Sequence, residues 1–295
     1  QTFQANKLAS KSAPLADYQM ETTSYSTQSS MLNKLELKYE WHQGLIEHAD
    51  RKSVGFISTP FDHESIIFLS QLGLDLFKIP SGEINNLPYL RQISKLGKKV
   101  ILSTGMANLG EIESAIQALI SDGLDRRKIT LLHCTTEYPA PFGEVNLSVM
   151  NTLRTAFNLP VGYSDHSKGI AISIAAAALG ARVIEKHFTL DCKLPGPDHV
   201  ASIEPHDLAN MIESIRQVEE SLGSTLKGPS PSEVKNMVAV RKSLVASKYI
   251  AEGEQFTKEN VTAKRPGNGI SPMRIDEIIG RSANKPFEPD ELIEI

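Results

Sequence analysis

The feature that most constrains the fold of this 295-residue chain is a regular alternation of short apolar runs with helical patterns. The apolar runs begin at Gly55, Leu76, Val100, Ile129, Val161 and Val183. The segments between them carry apolar residues at helical spacing, and several end in glycine, which commonly follows the last turn of a helix. Near-continuous apolar strands that alternate with helices predict a parallel β-sheet covered by helices on both faces.

The apolar runs share a polar carboxyl end, where Ser, Thr, His, Asp or Glu replaces the aliphatic residues. Open α/β sheets and (β/α)8 barrels both hold their ligand sites at this end of the strands. No Gly-x-Gly-x-x-Gly motif opens a helix, which argues against a dinucleotide-binding sheet. We therefore predict an α/β fold of the (β/α)8 TIM-barrel type. Because six strands are visible and a barrel has eight, we expect the first strand and most of the second to be missing.

The pattern changes towards both ends of the chain. Residues 1–39 are polar and lack periodicity, which is typical of a functional loop or a mobile segment. Near the other end, GSTLKGPSPSEVKN is rich in Gly, Pro and Ser, and short strands with turns follow it. We predict a barrel domain over residues 1–225, a linker over 226–239 and a small domain over 240–295. A domain of about 55 residues is marginal alone, so we expect it to pack on a partner.

Composition and charge limit the partners that this chain can have. The formal net charge is -4, which gives no electrostatic reason to expect nucleic acid or an anionic membrane. Cys134 and Cys192 are the only cysteines, which argues for a reducing compartment and against a disulfide framework. No apolar run reaches the ~20 residues of a membrane span, and the first ten residues lack a signal core. We expect a cytoplasmic protein that binds neither nucleic acid nor membrane.

Two histidines end neighbouring strands of the predicted sheet. His166 follows the strand that begins at Val161, and His187 follows the next strand along the chain. Because neighbouring parallel strands lie about 4.8 Å apart, the two imidazoles are placed to converge on one metal ion. Asp165 and Glu185 beside them add negative charge. Hydrogen-bonded structural histidines are the alternative at this stage.

Two further strand ends carry groups suited to an anion. Lys78 stands within the apolar run FKIPSGE, which also holds Ser81 and Glu83. An unpaired buried ammonium is costly, so Lys78 either pairs with an acid, binds a phosphate or carboxylate, or forms a Schiff base. Ser103 begins the turn Ser-Thr-Gly before a helix, where hydroxyls and free N–H groups suit an oxyanion. A simple helix cap explains that turn equally well.

Four other residues are candidates for the site, but their positions in the sequence support a functional role less strongly. His133 lies within a strand, which favours a hydrogen-bonded core residue, whereas Tyr138 follows the strand and can face the predicted pocket. Asp198 in the turn PGPDH is placed to reach a substrate, although a loop aspartate is usually solvated. Arg265 lies in the turn KRPGNG of the small domain, where an exposed arginine is the ordinary expectation.

Seven sequence motifs, taken together and in order, resemble those of one known protein family. In order they are FKIPSGE, ILSTGM, LLHCTTEYPAP, GYSDH, EKHFTLD, PGPDH and KRPGNG. This series resembles the sialic acid synthase family over nearly the whole chain from about Gly55. The resemblance implies a (β/α)8 barrel followed by an antifreeze-like (SAF) domain. It also implies condensation of phosphoenolpyruvate with N-acetylmannosamine or a related hexose, which yields a nine-carbon α-keto acid and free phosphate.

The resemblance implies a role for each candidate residue. His166 and His187 would bind a divalent metal, Mn²⁺ or Mg²⁺, and Glu83 would be a catalytic acid/base group near the reacting carbons, with Lys78 as the second catalytic residue. Phosphoenolpyruvate would be held by Lys78, Ser81, Ser103 and Ser164. Thr136 stands at a position implied to contact phosphoenolpyruvate, where some members have asparagine. The sugar would contact Tyr138, Asp198 and Arg265. Arg265 would come from the antifreeze-like domain of a second subunit, which implies a domain-swapped homodimer.

Two other functions remain open from the sequence. A Schiff-base aldolase that uses Lys78 on pyruvate would be trapped by borohydride and indifferent to chelators. A non-enzymatic role of the small domain in binding ice or a partner needs a flat surface of small apolar groups. The charged residues of that segment, among them Lys242, Lys248 and Glu252, argue against such a surface.

Overall fold

The chain forms two compact units, Gln1–Gly223 and Ser224–Ile295, in a computed structural model. The structure describes the backbone of residues 1–295 and every side chain except that of Glu21. The first unit contains the strands β1 (Leu76–Ile79), β2 (Lys99–Ser103), β3 (Ile129–Cys134), β4 (Val161–Asp165) and β5 (Ile184–Lys186). The second contains β6 (Ser243–Ala246) and β7 (Val261–Lys264).

The five strands of the first unit form one parallel sheet in the order β1-β2-β3-β4-β5, each strand pairing with the next along the chain. A helix lies between each pair of consecutive strands. Sequential parallel pairing through helical crossovers produces the curled sheet of a β/α barrel. The predicted α/β barrel architecture is therefore present in these five strands.

The apolar run that begins at Gly55 does not form the strand that the sequence predicted. Only one residue of that run, Pro60, forms a bridge, and its partner is Thr2. Two hydrogen bonds frame the bridge, from the Thr2 N–H to the Thr59 carbonyl at 2.8 Å and from the Phe61 N–H to the Thr2 carbonyl at 3.0 Å. Pairing stops there because helix α1 begins at Ala5, which removes the extended partner.

The helices follow the periodicity of the sequence. They are α1 (Ala5–Leu8), α2 (Asp17–Thr22), α3 (Gln28–Leu35), α4 (His42–Arg51), α5 (His63–Gln71), α6 (Leu87–Lys95), α7 (Leu109–Ser121), α8 (Val149–Phe157), α9 (Ala171–Ala178), α10 (Pro205–Leu222), α11 (Pro231–Val240) and α12 (Ile275–Ile278). Side-chain caps fix several starts, as where Asn108 accepts the Glu111 N–H at 3.0 Å. Among the described residues, no helix combines the length and apolar character needed to cross a membrane.

The main core lies between the sheet and its helices. Phe77 and Ile79 of β1 are fully buried there, with Leu102 of β2, Ile116 of α7 and Tyr163 of β4. Burying one such side chain contributes about 1.5–3 kcal/mol, so this layer holds the strands firmly in register. The strand ends are consequently a rigid platform for polar side chains.

Register determines which polar side chains share a face of the sheet. Ser164 of β4 pairs with Cys134 of β3 and with Glu185 of β5. Ser103 pairs with Leu132, two residues before Cys134, and Ile101 pairs with Lys78. Because alternate residues of a strand point to the same side, Lys78, Ser103, Cys134, Ser164 and Glu185 share the interior face.

Three short helices, α1 to α3, occupy much of the segment 1–39, which the sequence predicted to be irregular. The segment is anchored by hydrogen bonds at two points. The Ala5 N–H donates to the Glu36 carboxylate at 2.5 Å, and the Gln28 N–H donates to the Ala13 carbonyl at 3.1 Å. Helices of four to eight residues carry too weak a periodic signal to be predicted from the sequence.

The second unit pairs β6 and β7 antiparallel around a small apolar core that includes Leu244, Ile250, Phe256 and Phe287. Much of the predicted linker 226–239 is helical, because α11 occupies Pro231–Val240. Ser230 and Glu233 form a reciprocal capping box at its start, and Pro231 fits the first helical turn. The predicted linker therefore contains a helix, and the Pro and Ser that suggested a linker are also helix-start residues.

Candidate active site

A cavity of about 550 Å³ lies at the carboxyl ends of the five parallel strands. Most of the candidate residues predicted from the sequence line it, namely Lys78, Ser81, Ser103, Thr136, Tyr138, Ser164, His166 and His187. They meet because parallel strands present their carboxyl ends at one edge of a sheet. Glu185 and Cys134, which the sequence did not single out as substrate ligands, line the same cavity.

An ion pair between Lys78 and Glu185 forms one wall of the cavity. The Lys78 ammonium lies 2.9 Å from each of the two carboxylate oxygens of Glu185, and its side chain is only 8% exposed. The Ser164 hydroxyl donates to the same carboxylate at 2.6 Å. Burial acts to raise the pKa of Glu185, but the Lys78 charge and these hydrogen bonds outweigh it and lower the pKa. The carboxylate is therefore ionised at neutral pH.

His166 is held in the form that binds cations. Its Nδ1 donates to the Thr135 carbonyl at 2.6 Å, which leaves the lone pair on Nε2, an atom that lies 3.3 Å from the Ser164 hydroxyl. Burial lowers the pKa of His166 to about 4, so the imidazole is neutral at pH 7. A neutral imidazole oriented by a backbone carbonyl is the usual state of a metal-binding histidine.

His187 lies beside His166, with 5.4 Å between the ring centroids. Its Nδ1 lies 3.7 Å from a carboxylate oxygen of Asp198. The pair fits a divalent cation, since two imidazoles face one cavity and a carboxylate stands next to one of them. Among the described residues, no group of three or more His, Cys, Asp or Glu side chains forms a complete metal set. Water or substrate oxygens would have to supply the remaining ligands.

Tyr138 packs against both histidines. Its ring centroid lies 4.1 Å from that of His166 and 5.3 Å from that of His187, and on another side it lies 5.1 Å from Tyr18. Burial raises the pKa of Tyr138, so its hydroxyl stays protonated and can donate a hydrogen bond at neutral pH. Tyr18 comes from α2, in the segment that the sequence left without structure.

Small hydroxyl residues surround a tight turn at the end of β2. The Gly105 N–H donates to the Ser81 hydroxyl at 3.0 Å, and that hydroxyl lies 3.2 Å from the Cys134 sulfur. A Cβ atom on residue 105 would lie 2.7 Å from Thr136 and 2.8 Å from Ser81, so only glycine fits there. This close approach brings a backbone turn and two hydroxyl side chains to one corner of the cavity.

The Ser103 hydroxyl is fully buried and has no hydrogen-bond partner among the described residues. Leaving a buried polar group unpaired costs about 1–3 kcal/mol, so such groups usually have a partner in the working protein. Because Ser103 lines the cavity, a bound ligand is the natural partner. An anion with several oxygens suits this corner, since hydroxyls there can donate to it.

Three candidate residues lie outside this cavity lining. Glu83 accepts a hydrogen bond from the Asn86 side chain at 2.6 Å. Asp198 lines an adjoining cavity of about 610 Å³, and it lies near His187. Arg265 lies in the second unit, where its Nε donates to the Val240 carbonyl at 3.0 Å.

Glu185 is the main site residue to which sequence reasoning gave no role in substrate binding or proton transfer, although a usable signal existed. It lies two residues before His187, and alternate residues of a strand face the same side. Placing His187 in the cavity therefore also places Glu185 there. Tyr18 offered no comparable signal, because its position depends on the fold of the segment before β1.

Comparison with known protein families gives two matches along the chain. The NeuB family model matches residues 1–227, and the SAF domain model matches residues 241–294. Together these two matches cover nearly the whole chain.

Several characterised proteins are similar to this chain over most of their length. The N,N'-diacetyllegionaminic acid synthase of Campylobacter jejuni is 56% identical over 294 residues, which are 99% of this chain and 88% of that protein. The Legionella pneumophila protein of the same name is 45% identical, over 95% of this chain and 80% of its own length. Human N-acetylneuraminate-9-phosphate synthase is 36% identical, over 88% of this chain and 72% of its own.

Solved structures give the same result for the fold. The N-acetylneuraminic acid synthetase of Leptospira borgpetersenii superposes with a TM-score of 0.67 at 33% identity, over 75% of this chain and 76% of that one. The spore coat polysaccharide biosynthesis protein SpsE of Bacillus subtilis gives a TM-score of 0.63 at 31% identity, over 99% of this chain and 83% of its own.

Proposed function

The chain belongs to the NeuB family, and from that premise we propose that it condenses phosphoenolpyruvate with an N-acetylated hexose. The product is a nine-carbon α-keto acid of the sialic or legionaminic type, and inorganic phosphate is released. The names of the similar proteins support this reaction class. The observation that carries the proposal is the cavity itself, which combines a lysine ammonium, two neighbouring imidazoles and an unpaired buried hydroxyl.

In this proposal, phosphoenolpyruvate occupies the corner lined by Lys78, Ser81, Ser103, Thr136 and Ser164. Phosphoenolpyruvate carries a phosphate and a carboxylate, and the Lys78 ammonium offsets part of that negative charge. Hydroxyl donors bind the remaining oxygens, which gives the Ser103 hydroxyl the partner that it lacks in the protein alone.

We assign a divalent metal, Mn²⁺ or Mg²⁺, to His166 and His187. The support is the neutral state of His166, the orientation of its ring by Thr135 and the Asp198 carboxylate near His187. When bound, such an ion supplies Lewis-acid polarisation of the sugar aldehyde.

The chemistry requires one new carbon–carbon bond and one broken carbon–oxygen bond. Carbon 3 of phosphoenolpyruvate bonds to the aldehyde carbon, whose oxygen gains a proton and becomes a hydroxyl. Positive charge develops at carbon 2, and water adds there and loses one proton. Phosphate then leaves with its bridging oxygen and takes up the second proton of that water, which leaves a ketone at carbon 2. The cavity offers Glu185 as an ionised carboxylate to take a proton from that water, whereas the family resemblance implied Glu83. We assign this step to Glu185.

The Schiff-base alternative is less compatible with the geometry. Attack on a carbonyl needs a neutral amine, because only the neutral form has a free lone pair. The Lys78 nitrogen contacts both oxygens of Glu185, so it is engaged in an ion pair and is not free to attack a carbonyl. We therefore assign Lys78 to charge stabilisation and substrate binding.

The sugar is proposed to lie against Tyr138 and Asp198, which border the region of the two histidines. Arg265 is proposed to reach the sugar of a second copy from its SAF domain, in a domain-swapped homodimer, because the family resemblance implies that arrangement. This proposal makes each site dependent on two chains.

The test is phosphate release from phosphoenolpyruvate in the presence of a panel of N-acetylated hexoses, with Mn²⁺, with Mg²⁺ and with EDTA. We expect phosphate release that depends on both the hexose and the metal, together with a nine-carbon product by mass spectrometry. Borohydride trapping of Lys78 by pyruvate, with no effect of EDTA, would replace the proposal with the aldolase.

A further inference from the structure

A buried ion pair lies directly before the two histidines along the chain. Asp165 precedes His166 and Lys186 precedes His187, and the Lys186 ammonium lies 3.3 Å from a carboxylate oxygen of Asp165. The Asp165 side chain is fully buried, and that of Lys186 is only 3% exposed. No step of the condensation proposed above uses either charge.

The pair joins the carboxyl ends of β4 and β5. Asp165 and Lys186 are direct partners in the register of these two strands, and they form its last matched position. Because side chains alternate along a strand, Ser164 and Glu185 face the cavity, and the side chains of Asp165 and Lys186 face the covering helices. Lys186 also borders the cavity, but its ammonium contacts Asp165 and the Ser167 carbonyl.

Both oxygens of the Asp165 carboxylate are satisfied by protein groups. One accepts the Ser167 N–H at 2.8 Å and the Ser167 hydroxyl at 2.6 Å. The other accepts the Ser173 hydroxyl of α9 at 2.6 Å and contacts Lys186. Ser167 and Ser173 are themselves fully buried. Displacing either strand end would leave a buried charge without its partners, so the arrangement favours one position.

Stability alone does not account for this pair. Removing two charges from water is costly, and apolar side chains of similar size often stabilise a core as well as a buried ion pair does. An ion pair with hydrogen bonds differs from apolar packing in its directionality, since it is favourable at one separation and orientation. The pair therefore specifies where the end of β4 lies relative to the end of β5.

The two imidazoles depend on that relative position. His166 and His187 each follow the last matched residue of their strand. Their carbonyls are bonded to different segments, since His166 accepts the Ala140 N–H at 3.0 Å and His187 accepts the Ile203 N–H at 2.9 Å. These bonds hold each histidine separately. A shift between the strand ends would change the 5.4 Å separation of the two ring centroids.

We propose that Asp165 and Lys186 are positioning residues that set the separation and orientation of the His166 and His187 imidazoles for one divalent cation. They act through the backbone of the two strand ends. This inference rests on the proposed function, since it concerns the metal assigned there to the two histidines. It gives the buried ion pair a role in metal affinity.

The test is titration calorimetry of the metal-free protein with Mn²⁺ and, separately, with phosphoenolpyruvate. The double variant Asp165→Asn/Lys186→Met leaves no unpaired buried charge, so it is the variant best suited to fold. We expect its Kd for Mn²⁺ to rise about tenfold, the scale for groups that orient a metal ligand. Its Kd for phosphoenolpyruvate should stay near that of wild type, because Lys78 and Ser103 lie on β1 and β2.

Single variants examine whether the two residues act together. Asp165→Asn and Lys186→Met should each weaken Mn²⁺ binding about as much as the double variant, because either change breaks the same contact. The matched control is Ser173→Ala, which removes a hydrogen bond to the same carboxylate and leaves the contact between the strands. It should lower the melting temperature and leave the Kd for Mn²⁺ unchanged, with every titration run well below the melting transition.

A merely structural role predicts a different pattern. Equal weakening of Mn²⁺ and phosphoenolpyruvate binding in the double variant would overturn the inference, and so would the same loss of Mn²⁺ affinity in Ser173→Ala. An unchanged Kd for Mn²⁺ in the folded double variant or in either single variant would also overturn it, and the metal assignment would stand. If the wild-type protein binds no Mn²⁺, the metal assignment fails and this inference fails with it.

Discussion

Both carboxylate oxygens of Glu185 lie 2.9 Å from the Lys78 ammonium, and the two residues are joined across the cavity from β1 and β5. The pair therefore links the first and the last strand of the described parallel sheet. The pair also presents one positive and one negative charge to any ligand that enters the cavity. A dianionic ligand would compete with Glu185 for Lys78, which would free the carboxylate to accept a proton.

Removing the Glu185 charge tests its assigned role. Glu185→Gln should lower kcat by about 100-fold or more, the usual contribution of a positioned acid or base. Glu83→Gln should have the smaller effect, because Glu83 is engaged with Asn86 and does not line the cavity. Steady-state kinetics of both variants decide between the two carboxylates. If Glu83→Gln lowered kcat more than Glu185→Gln, the proton transfer would have to be assigned to Glu83 instead.

Removing the Ser103 hydroxyl separates an effect on ligand binding from an effect on the stability of the fold. Since it has no partner in the protein, Ser103→Ala should leave the free energy of unfolding nearly unchanged and raise the KM for phosphoenolpyruvate about tenfold. Ser173→Ala is the contrasting variant, because the Ser173 hydroxyl donates to buried Asp165 at 2.6 Å. That change should cost about 1–3 kcal/mol of stability by urea unfolding. Comparable stability losses in both variants would contradict the ligand role of Ser103.

Metal removal tests the two imidazoles. EDTA should abolish phosphate release, and Mn²⁺ or Mg²⁺ should restore it. His166→Gln and His187→Gln should each weaken Mn²⁺ binding by about 100-fold or more in titration calorimetry, because half of the protein ligands are lost. His48→Gln, an exposed change on α4, should bind Mn²⁺ as wild type does. Full activity in EDTA would rule out the metal assignment.

His133 provides a pH test that is independent of activity. Burial lowers its pKa, against the opposing effect of hydrogen bonds with the backbone at Val145 and Asn146, so the folded protein holds it neutral. The unfolded chain protonates this histidine below about pH 6.5, and it then binds more protons than the folded chain. Stability should therefore fall as the pH drops from about 7 to 5. In His133→Gln, urea unfolding should show a smaller fall, and an identical fall would contradict this account.

Mixing two inactive variants tests the proposed exchange between subunits. Arg265→Ala lacks the proposed sugar contact, and His187→Gln lacks a proposed metal ligand. If each site uses Arg265 from the partner, mixed dimers contain one intact site, and random pairing should restore about a quarter of wild-type activity. Phosphate release after refolding the mixture measures this. No recovery, or a monomer by light scattering, would contradict the exchange.

The sequence predicted the barrel and most of the cavity because both depend on short-range patterns. Lys78, His166 and His187 end apolar runs, and the parallel arrangement of those runs places the ends together. The run from Gly55 has the same composition, but it lacks an extended partner beyond Thr2, which composition cannot reveal. Tyr18 and Met31 line the adjoining cavity of about 610 Å³ through tertiary contacts of short helices, and no periodicity in the sequence indicates such contacts.

The separate packing of α3 has a consequence for how this chain tolerates sequence change. Met31 and Leu35 lie outside the large apolar cluster that joins the sheet to its helices, so exchanging them leaves that cluster intact. Substitutions within this eight-residue helix can therefore accumulate without loosening the packing that holds the strand ends in place.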